Sequence, residues 1–97
     1  MNTPFFKANL YQTKGIAIAA KENSMFFFEI MEDINRFYQH DWGDMDEEDK
    51  LLNDEDVTLR NRVLAAYDTS KGRIYIIADA TDKNYYETIT VLFADEY

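Results

Sequence analysis

The side chains best equipped for chemistry in this sequence are carboxylates, and they crowd one short stretch. Asp41, Asp44, Asp46, Glu47, Glu48, Asp49, Asp54, Glu55 and Asp56 fall within it, relieved only by Lys50. The same stretch opens with the only His and the only Trp, as His40-Asp41-Trp42-Gly43-Asp44. On a helix, residues three and four apart share a face, so Asp46, Asp49 and Lys50 align, as do Glu47 and Lys50. A single Glu–Lys pair does not offset the repulsion among the rest, about 0.2–0.5 kcal/mol per exposed like pair. Asp44 or Asp46 suits a helix N-cap, and acids in a first helical turn are favoured by the helix dipole. Capping leaves most of the acids without a folding role. They form either a solvated face or a surface shaped for a basic partner.

Catalytic uses of these residues fare worse. Asp44 to Asp49 resembles a calcium loop only in charge, because the Gly of the sharp turn is missing and the ligand spacing fails. Glu48-Asp49-Lys50 has the acid-x-Lys form of metal-dependent nucleases, but that chemistry wants a strand with a further carboxylate, and this stretch reads as helix. His40 beside Asp41 is no base with its orienting group, since sequence neighbours seldom face each other. Nothing selects one acid–base pair from 19 Asp and Glu, and three scattered Gly make no phosphate loop. The inventory supports neither an enzyme nor a metal or cofactor site. Trp42 reads as a cover folded onto the core with its N–H on a backbone acceptor, the other option being an exposed interface anchor. Gly43 reads as the hinge beside it.

The elements that must position this stretch follow from periodicity. Phe5 to Thr13 reads as an extended segment, broken by Lys14-Gly15. Gly15 to Ala20 is either a short strand or a first helical turn. Asn23 and Ser24 suit an N-cap, and Phe27, Ile30, Met31, Ile34, Phe37 and Tyr38 then recur at helical spacing, a stripe we assign to the core. A second helix runs from the acids to about Arg60, with sparse apolar positions at Met45, Leu51, Leu52, Val57 and Leu59. A break near Asn53-Asp54 is expected, and Asn61 suits a left-handed close. Strands are expected over 62–67, 73–79 and 87–93, with turns at 68–72 and 81–84. The expected architecture is one α+β domain over 1–97, a small three- to four-stranded antiparallel sheet with two helices packed on one face.

Composition narrows the setting. With 97 residues, 46% of them apolar, the chain suits one small core and leaves little room for a deep substrate cavity. The net charge of −9 argues against direct nucleic-acid binding and for a basic partner. Cys is absent, which removes disulfides and thiol chemistry and suits a reducing cytoplasm. Met1 to Lys7 lacks the build of a signal peptide, and no apolar run reaches membrane-spanning length.

Asp41-Trp42-Gly43-Asp44, Glu48-Asp49-Lys50 and Asn53 together resemble a family of small bacterial proteins carried on plasmids and other mobile elements. The likeness extends upstream through Gln12 to Ile16 and Arg36. Downstream it takes in Arg62, Leu64, Ala66-Tyr67, Ile74 to Ile77, Thr90 to Phe93 and Glu96-Tyr97. His40 stands where the pattern has Gly, Phe37 where it has His, and Asn61 where it has Gly. The Phe37 departure weakens any His-based site. A mobile-element setting implies a counter-defence role, as in phage and plasmid proteins that inhibit CRISPR or restriction systems. The expected partner is then a basic surface on a Cas effector with its guide RNA, or on another defence nuclease, with a homodimer also open. Asp44, Asp46, Glu47, Glu48, Asp49, Asp54, Glu55 and Asp56 would bind it, as a DNA mimic does, with Trp42 and Gly43 in structural roles. The alternatives are an accessory protein binding a host protein or small ligand through its sheet face, and a metal-dependent hydrolase.

Overall fold

A computed structural model describes residues 4–81 and 84–97. The expected turn over 81–84 and the stretch from Met1 to Lys7 thus lie partly outside the described residues. The alternating half of the chain folds as its period predicts. β2 (Val63–Thr69), β3 (Gly72–Asp79) and β4 (Thr88–Phe93) form an antiparallel meander. Val63, Ala65 and Tyr67 pair across with Ala78, Ile76 and Ile74, and these with Ile89, Val91 and Phe93, so a single apolar face results.

The sheet is mixed, however, and not wholly antiparallel. β1 (Asn9–Gln12) runs parallel to β4, which gives the order β1-β4-β3-β2. Parallel neighbours need a crossover of a dozen or more residues, and here the whole chain between β1 and β4 supplies it.

Among the described residues there are also three α-helices rather than two. α1 (Lys14–Glu22) forms because the Thr13 hydroxyl accepts from Ile16 N–H at 3.3 Å, ahead of an Ala-rich run of good helix formers. Asn23 breaks that run in extended conformation, and its side chain then caps α2 (Ser24–Tyr38) by accepting from Phe26 N–H at 3.1 Å. α1 and α2 cover the apolar sheet face. α3 (Glu47–Leu59) instead lies along the β2 edge, anchored by Val57 in the core and by the Asn53 amide, which donates to Leu64 C=O at 2.9 Å.

Several side chains sit elsewhere than their spacing implies. The buried stripe of α2 is Phe26, Ile30, Asp33 and Phe37, while Phe27 and Met31 are about half exposed. Every position from Met25 to Phe28 is apolar, and a buried acid at 33 disguises the true stripe. On α3, Leu51, Leu52 and Leu59 are exposed, and the helix continues unbroken through Asn53-Asp54. The left-handed residue closing α3 is Arg60 (φ 59°), one position before Asn61. A 3₁₀ turn (Ala94–Glu96) follows β4 and returns Tyr97 onto the outer sheet face, where its ring meets Tyr75 edge-on.

Candidate functional site

The acidic stretch begins where α2 ends. Gln39 and His40 N–H groups donate to the Arg36 and Phe37 carbonyls, and His40 takes a left-handed φ of 63°. A Gly accommodates that conformation without cost. His40 offsets the strain by stacking on Trp42, ring centroids 5.3 Å apart, and by meeting Phe5 edge-on.

Arg36 then clamps the turn. Its guanidinium donates to both Asp41 carboxylate oxygens, at 2.8 and 3.3 Å, and to Asp33 at 3.3 Å, while lying 4.9 Å over the Tyr67 ring. The hydrogen bond from Arg36 holds the Asp41 carboxyl below the usual carboxylate range. Desolvation does the reverse to Asp33, raising it to about 6 against the pull of Arg36. Burial likewise pushes the Tyr67 hydroxyl upward, and that hydroxyl donates to Asp41 C=O at 2.7 Å.

Trp42 is buried, 2% exposed, and its indole N–H donates to an Asp54 carboxylate oxygen at 2.9 Å. The acceptor is a side chain of α3 and not the backbone group expected. Gly43 (φ 82°) bridges to Ala66 on the outer side of β2, so close that a Cβ would sit 2.2 Å from Ala66 O. Ala66 N–H donates to Trp42 C=O, Asp44 N–H donates to Ala66 C=O at 2.7 Å, and the Asp44 carboxylate accepts from Asp68 N–H at 2.9 Å. Trp42 to Asp44 is therefore laid along the sheet edge through a single parallel bridge.

This geometry divides the carboxylates. Asp44, Asp54 and Asp56 are occupied within the fold, the last accepting from the Asn61 amide at 3.2 Å. Glu47 pairs with Lys50 at 3.6 Å. Asp46 holds the N-cap position of α3, but neither it nor Asp44 makes a side-chain cap bond. Asp46, Glu48, Asp49 and Glu55 are exposed and have no partner among the described residues.

Asp46 and Asp49 overhang the outer sheet face. Asp49 borders two shallow clefts, of about 390 and 370 Å³. The first also holds Asp44, Arg73 and Tyr75, the second Leu52, Arg62 and Tyr97, and both share Met45 and Leu64. Asp68 and Asp79 engage Arg73 and Arg62 respectively. Leu51 and Leu52, between Glu48 and Glu55, and Leu59, one turn past Glu55, are exposed on α3, giving an acidic ridge with apolar crests. Among the described residues, no three Asp, Glu or His side chains converge to hold a metal ion. The arrangement presents exposed negative charge.

No family profile matches the chain, and no curated protein or solved structure shows significant similarity to it. No helix among the described residues is long and apolar enough to cross a membrane.

Proposed function

We propose that the protein is a non-enzymatic inhibitor of a bacterial defence nuclease, binding through α3. The partner is a basic nucleic-acid channel, in the first instance that of a Cas effector loaded with guide RNA. One observation carries this reading. Asp46, Glu48, Asp49 and Glu55 stand exposed on one short helix with no intramolecular partner among the described residues. Charge repels charge along that helix, and a basic surface relieves it. The crests of Leu51, Leu52 and Leu59 supply apolar contact that acids alone lack. Such an interface associates fast and weakens steeply with salt. The resemblance to mobile-element proteins supplies the class of target.

The test is a combined variant, Asp46→Asn, Glu48→Gln, Asp49→Asn and Glu55→Gln, in a cleavage assay with the nuclease recovered from a host carrying defence systems. Inhibition should fall by at least tenfold while the melting temperature stays within a few degrees of wild type. A folded variant that inhibits fully would end the proposal. The clefts lined by Tyr75 and Tyr97 favour a second reading, a host protein or small ligand held on the outer sheet face. In that case a Tyr75→Ala variant loses binding, and a Glu48→Gln, Glu55→Gln variant, altered only at acids that line neither cleft, keeps it.

A further inference from the structure

The opposite edge of the sheet carries a second surface. In the parallel pair, Asn9 N–H donates to Glu87 C=O at 2.9 Å and Thr13 N–H to Val91 C=O at 3.1 Å. Residues of a strand alternate in the side to which their main-chain groups point, so Leu10 and Gln12 turn theirs outward. These groups meet no partner among the described residues. All four side chains of β1 are exposed. Beside the edge, between β1 and α2, lies a groove of about 240 Å³ lined by Leu10, Phe27, Met31 and Ile34. Phe28, whose ring meets Phe27 edge-on at 5.7 Å, is 69% exposed. An open sheet edge over an apolar groove is the setting in which an extended peptide adds as a strand.

Charge selects the occupant. In sequence all 19 acidic residues lie at or after Glu22, and Lys7, Lys14 and Lys21 lie before it; in the fold Glu96 reaches the Thr13 end of β1, where its carboxylate is taken up by the Thr13 hydroxyl at 2.8 Å and the Phe93 N–H at 2.7 Å. β1 is flanked by Lys7 at its start and Lys14 at its end, both exposed. A second copy pairing antiparallel through β1, centred on Tyr11, would align Leu10 with Gln12 of the other copy. It would also bring Lys7 of each copy to the strand end occupied by Lys14 of the other, like against like. A foreign strand with acidic ends meets both lysines favourably.

We propose that β1 and the groove between it and α2 bind an extended peptide segment with alternate apolar residues and acidic flanks, which becomes a fifth strand. Its main chain pairs with Leu10 and Gln12, and its apolar side chains enter the groove. This surface is separate from α3 and works whether or not α3 binds a nuclease.

The test uses two synthetic peptides with an alternating Ile-Thr centre, one with two Asp at each end and the other with two Lys. Binding is followed by amide hydrogen exchange at Leu10 and Gln12. The Asp-ended peptide should slow exchange at both amides and bind at least tenfold more tightly than its Lys-ended counterpart. Lys14→Glu, which suits the first turn of a helix, should erase that preference, and Leu10→Lys should abolish binding. Equal affinity for both peptides, or protection confined to other amides, overturns the proposal. So does a protein that sediments as a dimer with Leu10 and Gln12 already protected, for a second copy then fills the edge.

Discussion

At the β2 edge, Leu64, Ala66 and Asp68 each place an outward main-chain group on a partner from the Trp42–Asp44 segment or from Asn53. At the β1 edge, Leu10 and Gln12 place theirs on none among the described residues. An exposed edge invites pairing with another chain, and proteins suppress this by covering, charging or shortening it. Here β2 is covered and then charged, while β1 is only short. Covering β2 takes a glycine at positive φ, an arginine clamp and a buried tryptophan. The most recognisable stretch of the sequence thus serves first to close an edge. The binding role proposed for it rests on the few acids left over.

The comparison breaks most sharply at Gly43. Gly43→Ala drives a Cβ into Ala66 O and the Tyr67 ring at a backbone angle that L side chains rarely adopt. The loop must lift from β2, at a loss of about 3 kcal/mol or more, and Tm should fall by about 12 °C or more in thermal unfolding. Tyr11→Ala on the open edge should move Tm by only about 2 °C, because a surface site away from packing changes stability by about 0.5 kcal/mol at most.

A pH series tests the clamp behind the covered edge. Asp33, raised to about 6 by burial, holds its proton more tightly folded than unfolded. Below the unfolded value it favours folding, and that support is withdrawn as pH rises toward 6. Asp33→Asn lacks the titrating proton. Its stability relative to wild type should therefore increase by about 1–3 kcal/mol between pH 4 and pH 7, as read by urea unfolding at each pH. A difference that stays constant with pH would show Asp33 ionising as an ordinary surface acid.

The smallest effect separates neighbours on α3. Asp54→Asn weakens the charged acceptor for the Trp42 N–H and should lower stability by about 1 kcal/mol. Glu55→Gln, one residue on and without a partner among the described residues, should change it by less than about 0.5 kcal/mol. If Glu55→Gln proved the more destabilising, the division between occupied and available carboxylates would be wrong.

The α+β class and the three meander strands were legible because alternation over β2, β3 and β4 is a local signal. The α2 cap at Asn23 was legible for the same reason. β1 was visible as an extended segment, but its parallel partner lies at the far end of the chain and leaves no local trace. α1 stayed open between strand and helix because its deciding bond, from Ile16 N–H to the Thr13 hydroxyl, lies outside the apolar pattern. On α2, Ile30, Ile34, Phe37 and Tyr38 face the core as expected, but Phe26 and the buried Asp33 take the places given to Phe27 and Met31. At the candidate site, sequence marked the acids without sorting them. Asp54 answers to Trp42 and Asp44 to Asp68, and neither pairing follows from spacing.

The Trp42–Asp54 hydrogen bond also makes the molecule its own optical gauge. There is one indole in the chain, enclosed by Phe37 and His40 and tied by its N–H to α3. Its emission reports on a single joint, so a red shift on mixing with a target signals α3 lifting from the sheet. An unchanged spectrum signals a helix that binds while still seated.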